Sequence, residues 1–150
     1  MTIRFGLLGA GRIGKVHAKA ITGNAGATLV ALTPELPEFA ADTTKKGKIA
    51  FEVLSDVGNN VARTYGIVFK MSPEVAEAMR KNAKTAERNG DQSDELPLAA
   101  VYVIAPDGKI TYSFLDADYK HRAEPSRLVD AVKAQTGGTS ALKKPKAGAP

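Results

Sequence analysis

IRFGLLGAGRIGKVHAKAITGNAGATLVAL, residues 3 to 32, decides how the rest of the chain is read. Ile3-Arg4-Phe5-Gly6-Leu7-Leu8 is short and mostly apolar, the pattern of a parallel strand buried on both faces. The turn Gly9-Ala10-Gly11-Arg12-Ile13-Gly14 follows. A helical stripe of Ile13, Val16, Ala20 and Ile21 comes next, with Arg12, Lys15 and Lys19 off it and Gly23-Asn24 as a stop. Ala27 to Leu32 reads as a second apolar strand, which completes one βαβ unit. Gly9 permits the sharp turn, Gly11 leaves room for a ligand at the backbone, and Gly14 lets helix and strand lie close. The helix would turn its free amides and positive end toward an anion above Gly11.

Residues 1 to about 31 resemble the start of the inositol dehydrogenase and glucose–fructose oxidoreductase family, including His17 in its GxGxxGxxHA pattern. The resemblance implies NAD or NADP, with the pyrophosphate over Gly11, Arg12 and Ile13. Gly9, Ala10, Gly11, Arg12, Ile13 and Gly14 are therefore the candidate cofactor-binding residues. The family ends its second strand with an acidic residue for the adenosine ribose. That position falls on Pro34 here, with Glu35 adjacent, and the catalytic domain of that family has no counterpart in the sequence. His17 reads as a packed or half-exposed helix residue and His121, between Lys120 and Arg122, as a surface residue.

At 150 residues, 43% hydrophobic and 25% charged, the composition is that of one ordinary globular domain. No apolar run approaches the roughly 20 residues of a membrane span, and no secretory signal is expected. Lys143, Lys144 and Lys146 supply three of the formal +5 charges from a tail rich in Gly, Ala and Pro. With no basic patch interleaved by aromatics, nucleic acid is not an expected partner. The absence of cysteine removes disulfides, thiolate ligands and intrinsic thiol chemistry, and two histidines do not suffice for a histidine metal cluster.

Further on, Thr33-Pro34-Glu35 is expected to open a helix that stops at Gly47. Residues 49–54 read as a strand, and Asp56 to Gly66 as a short helix with Val57, Val61 and Ala62 inward and Ser55-Asp56 as its cap. Ser72-Pro73-Glu74 starts a helix expected to reach Arg88, with Val75 and Ala76 on its apolar side. Leu98 to Ala105, the turn Pro106-Asp107-Gly108, and Lys109 to Leu115 form a hairpin. Glu124-Pro125-Ser126 opens a last helix carrying Leu128, Val129 and Val132, and from Thr136 a disordered basic tail is expected. Asp116-Ala117-Asp118 could offer acid–base carboxylates but reads as a strand-exit turn.

A second resemblance covers Thr28 to Val132. LVALTPELPEFA, FEVLSDVGNNVARTYGIVF and ELPLAAVYVIAPDGKITYSFLDADYKHRAEP together resemble a peroxiredoxin of the alkyl hydroperoxide reductase and thiol-specific antioxidant class. That class reduces peroxides with a cysteine at the start of the helix after the first core strand, where this chain carries its glycine loop. It also leads us to expect proline where Ala99 stands.

The expected fold is α/β, a three-layer αβα arrangement around a mixed sheet of about five strands, with a Rossmann-like βαβ followed by a thioredoxin-like part ending in a β-hairpin and helix. Residues 1–135 form one hybrid domain, joined near Gly26–Ala31. The expected function is an engineered or recombined scaffold without catalytic activity, not an enzyme, with no catalytic or metal residues. A dinucleotide- or phosphate-binding module at the glycine loop is the alternative, and a degenerate cysteine-less peroxiredoxin-like protein acting through a partner the third. No cofactor is required on this reading, NAD or NADP binding is weak, and the protein is cytoplasmic, a monomer or homodimer, with no membrane partner.

Overall fold

The computed structural model describes residues 3–8, by backbone alone, and 27–118 and 120–135 with side chains. In chain order these are β1 (Ile3–Leu8), β2 (Ala27–Thr33), α1 (Pro37–Gly47), β3 (Glu52–Ser55), a 3-10 turn (Val57–Asn59) and α2 (Asn60–Thr64). Then come β4 (Val68–Lys70), α3 (Pro73–Ala83), α4 (Thr85–Asn89), β5 (Glu95–Pro97), β6 (Ala99–Ile104), β7 (Ile110–Asp116) and α5 (Pro125–Gln135).

The main sheet has the order β3-β2-β1-β6-β7. β1 runs parallel to β2, from Ile3 opposite Ala27 to Leu8 opposite Leu32, and β2 runs parallel to β3. On its other side β1 pairs antiparallel with β6, which pairs antiparallel with β7. The sheet is therefore mixed and five-stranded, as the sequence leads one to expect.

Period-two alternation places the core. On one face Leu29, Ala31, Val101 and Val103 pack against Leu128, Ala131 and Val132 of α5. On the other, Ala100 and Tyr102 meet Ala62 of α2 and Ile67. Helices on both faces make three layers. The hairpin turn lies where Pro106-Asp107-Gly108 predicts it, with Gly108 at φ 86°. There the Lys109 amide donates to Asp107, and this bond holds the Asp107 carboxyl below the usual carboxylate range.

Four local expectations are corrected. α1 starts at Pro37 rather than Pro34, because Thr33 is still in the β-ladder opposite Ser55 and its carbonyl accepts from the Asp56 amide at 2.7 Å. The helix from Pro73 breaks at Lys84, which adopts the left-handed conformation and caps α3 onto the Met79 carbonyl, so that α4 takes its own direction. Val57, Val61 and Val75 are 41%, 44% and 51% exposed, so only Ala62 and Ala76 of those positions face inward. The small antiparallel sheet of β4 and β5 was not expected, since it joins segments far apart in the chain. The glycine loop and its helix (residues 9–26, including Gly9 to Gly14 and His17) and the basic tail from Thr136 lie outside the described residues.

Candidate functional site at the carboxyl edge of the sheet

The carboxyl ends of β1, β2 and β3 point the same way, so Leu8, Thr33 and Ser55 open onto one edge. Leu8 sits between Leu32 and Ala100, and the chain leaves β1 there into the glycine loop. Such an edge, outside the strand ends of a parallel sheet, is where ligands meet α/β proteins.

The edge is braced by polar groups. Asp56, buried at 6% exposure, accepts the Val61 amide on Oδ1 and the Ala62 amide on Oδ2, both at 2.9 Å. Ser55-Asp56 is thus a helix-capping element, as its sequence predicts. Glu35 Oε1 accepts from Arg88 Nε at 2.6 Å, Arg88 Nη2 donates to Thr43 Oγ1 at 2.9 Å, and the Arg88 guanidinium lies 5.0 Å from the Phe39 ring centre. The Glu35 hydrogen bond raises the Arg88 pKa further above its ordinary value. The Leu36 amide also donates to the Arg88 carbonyl at 2.7 Å, so α4 is tied to the segment after β2 by backbone and side chain together. The sequence places Glu35 beside the expected ribose-binding position and at a helix start, and gives no sign of Arg88. No local signal joins two residues 53 apart.

Asp116 ends β7 on this same edge, opposite Ala99. It accepts the Asp118 amide at 2.8 Å and lies 3.0 Å from His121 Nδ1, while Asp118 accepts the Lys120 amide at 2.9 Å. The carboxylates therefore build the strand-exit turn that the sequence suggests, and His121, exposed as expected, pairs with Asp116. Among the described residues no three His, Asp or Glu side chains converge as a metal centre, and no helix is long and apolar enough to cross a membrane. The edge holds carboxylates, a guanidinium and hydroxyls but no thiol, because the chain contains no cysteine.

The sequence profile of the AhpC/TSA family matches residues 15–113. The chain belongs to the AhpC/TSA family. Among solved structures, a cysteine-to-serine mutant of Xylella fastidiosa PrxQ superposes with a TM-score of 0.62 at 8% identity, over 90% of this chain and 78% of that one. AhpC of Mycobacterium tuberculosis gives 0.60 at 10% identity, over 94% and 73%. These likenesses show the fold. Separately, 40 residues are 70% identical to inositol 2-dehydrogenase of Rhizobium meliloti (strain 1021). That match spans 27% of this chain and 12% of the dehydrogenase.

Membership in the AhpC/TSA family overturns two expectations. The chain is not a non-catalytic scaffold, nor is a binding module at the glycine loop its main function. Nor does "not an enzyme" hold, since the family is one of peroxidases. One side chain can change without disturbing the mixed sheet, its two helical faces and the capped edge, and those features carry the family likeness.

Proposed function

We propose that this AhpC/TSA protein acts in thiol-dependent peroxide reduction together with a thiol-bearing partner of its own family. The observation that carries this reading is the family match over residues 15–113 in a chain that has the peroxidase framework and no sulfur nucleophile. In the reaction a partner thiolate attacks one peroxide oxygen and the O–O bond breaks. Sulfenic acid forms and an alcohol or water leaves; a second thiol then condenses with the sulfenic acid to a disulfide and releases water. The sulfur belongs to the partner throughout, and this chain contributes the braced carboxyl edge of β1–β3.

The test mixes the full chain with a cysteine-bearing AhpC/TSA subunit from the same proteome and follows hydrogen peroxide consumption with dithiothreitol as reductant. Co-elution and an altered kcat or KM of the partner are expected. Separate elution with unchanged kinetics would overturn the reading.

The first 31 residues, we infer further, descend from a dehydrogenase-type dinucleotide-binding unit, and residues 1–135 form one hybrid domain. The 70% identity over 40 residues supports this. Gly9, Ala10, Gly11, Arg12, Ile13 and Gly14 are the positions against which NAD or NADP would lie. The ribose side fits poorly, because Glu35, the acidic neighbour of Pro34, is already engaged by Arg88 and Thr43. Weak binding follows. NAD titration should give saturable amide shifts confined to residues 9–14, and flat shifts would remove the inference.

A further inference from the structure

The sequence holds four tyrosines and neither cysteine nor tryptophan, which makes tyrosine the chief target in this chain for one-electron oxidants. Methionine instead accepts an oxygen atom from peroxide itself. Among the described residues one pair of aromatic rings is in contact. The ring centres of Tyr65 and Tyr102 lie 5.0 Å apart, with the planes tilted by 39°. That is near the short end of the range for attractive aromatic pairs, about 4.5–7 Å, and puts the ring edges in van der Waals contact.

The backbone holds both rings in place. Tyr65 caps the end of α2, where its amide donates to the Val61 carbonyl at 3.3 Å and the Ile67 amide returns to Ala62. Tyr102 lies in mid β6, opposite Gly6 of β1 on one side and Ser113 of β7 on the other, and packs with Ala62 and Ile67 in one buried cluster. The two differ in access. Tyr65 is 38% exposed and Tyr102 only 8%, so an oxidant in solution meets Tyr65 first and reaches Tyr102 through it. Burial, and then Tyr65 beside it, push the Tyr102 phenol above its ordinary value, and it is protonated when the oxidant arrives.

We propose that Tyr65 and Tyr102 form a modification site at which one-electron oxidants of the carbonate-radical class join the two rings as an intramolecular dityrosine. Each oxidant takes one electron and one proton from a phenol and leaves as bicarbonate. The first encounter leaves a radical on Tyr65. Transfer of an electron and a proton from Tyr102 restores Tyr65 and moves the radical inward, and the second encounter makes Tyr65 a radical again. The two radicals then form one carbon–carbon bond between ring carbons next to the hydroxyls. The hydrogens on those carbons move to the two phenol oxygens, so the product has lost two hydrogens and two oxidants have been reduced. Because the rings are already side by side, coupling within the chain outruns the meeting of two chains. The product staples the end of α2 to β6. This site is independent of the thiol-bearing partner.

The experiment treats the full chain, dilute, with hydrogen peroxide and ferrous iron in bicarbonate buffer, and follows dityrosine fluorescence and tryptic peptides by mass spectrometry. Cleavage after Arg63, Lys70, Arg88, Lys109 and Lys120 puts Tyr65 and Tyr102 on separate peptides and Tyr112 with Tyr119 on a third. The expected result is a cross-linked peptide joining Tyr65 to Tyr102, two hydrogens lighter than its parts, in protein that still migrates as a single chain. Its urea midpoint should be raised, since a cross-link constrains the unfolded state. Tyr65→Phe and Tyr102→Phe keep the ring packing and should each lower the dityrosine yield about tenfold or more, while Tyr112→Phe leaves it unchanged. If one of the first two variants fails to fold, the other carries the test. Three outcomes would each overturn the site: no peptide joining Tyr65 to Tyr102 once Tyr65 has been consumed, dityrosine only between chains or through Tyr112 and Tyr119, or undiminished fluorescence in a folded Tyr65→Phe or Tyr102→Phe.

Discussion

At Asp56 one carboxylate receives the Val61 and Ala62 amides, while its own amide donates to Thr33, so a single residue fastens α2, β3 and β2 together. Asp56→Ala strands those two amides and should lower stability by about 1–2 kcal/mol, read as a lower urea midpoint at unchanged slope. A midpoint within error of the parent would contradict this. Gly90 sits at φ +67°, and a Cβ there would lie 2.9 Å from Leu36 Cδ2. Gly90→Ala combines backbone strain with a clash at a contact already fixed by the Leu36–Arg88 hydrogen bond, and should cost about 1–3 kcal/mol. An equal or raised melting temperature would show that Leu36 yields freely. On the functional side, a thiol placed after β1 by Ala10→Cys should raise dithiothreitol-dependent peroxide consumption above that of the parent chain. Failure in a folded variant would mean that the carboxyl edge is not the reacting end.

α5 covers one face of the sheet through Leu128, Ala131 and Val132, all of them buried. Leu128→Ala opens a cavity against Leu29, Val101 and Val103 and should cost about 2–5 kcal/mol, a test by calorimetry or denaturant. The turn leading into α5 adds a pH dependence. The Asp118 amide, and after it His121, hold the Asp116 carboxyl below the usual carboxylate range. A carboxyl depressed on folding contributes stability that is present above its unfolded value near 3.9 and lost as pH falls through the lower folded one. In carboxyl-carbon titrations Asp116 should therefore have a midpoint below that value. His121→Ala should raise the midpoint only in part, since the backbone amide is the larger cause. A full return to the ordinary value would refute that ranking.

Elements with local signals were legible in the sequence: the opening strand, the Pro106-Asp107-Gly108 hairpin, the Ser72-Pro73 cap and the closing helix. Those that depend on distant partners were not. The start of α1 moved because Thr33 stays in the ladder opposite Ser55, and α4 turned away because Glu35 and Leu36 capture Arg88.

At the scale of the whole molecule, the mixed sheet and its two covered faces followed from the order of elements, while the small β4–β5 sheet did not. Of the candidate site, the Asp56 cap and the Asp116 turn could be read from spacing, but the Glu35–Arg88–Thr43 bracing could not, as only the folded sheet brings those side chains together. The central place of β1 has one more consequence. Phe5 has Leu29 on one flank and Val103 on the other. Within this sheet the first strand in the chain thus waits for one of the last. Until Ala99–Ile104 has docked, half of its amides and carbonyls face an open side. Closing the long loop between β1 and β6 is therefore a costly step of folding, and the open side of β1 is where a foreign strand would pair in the meantime.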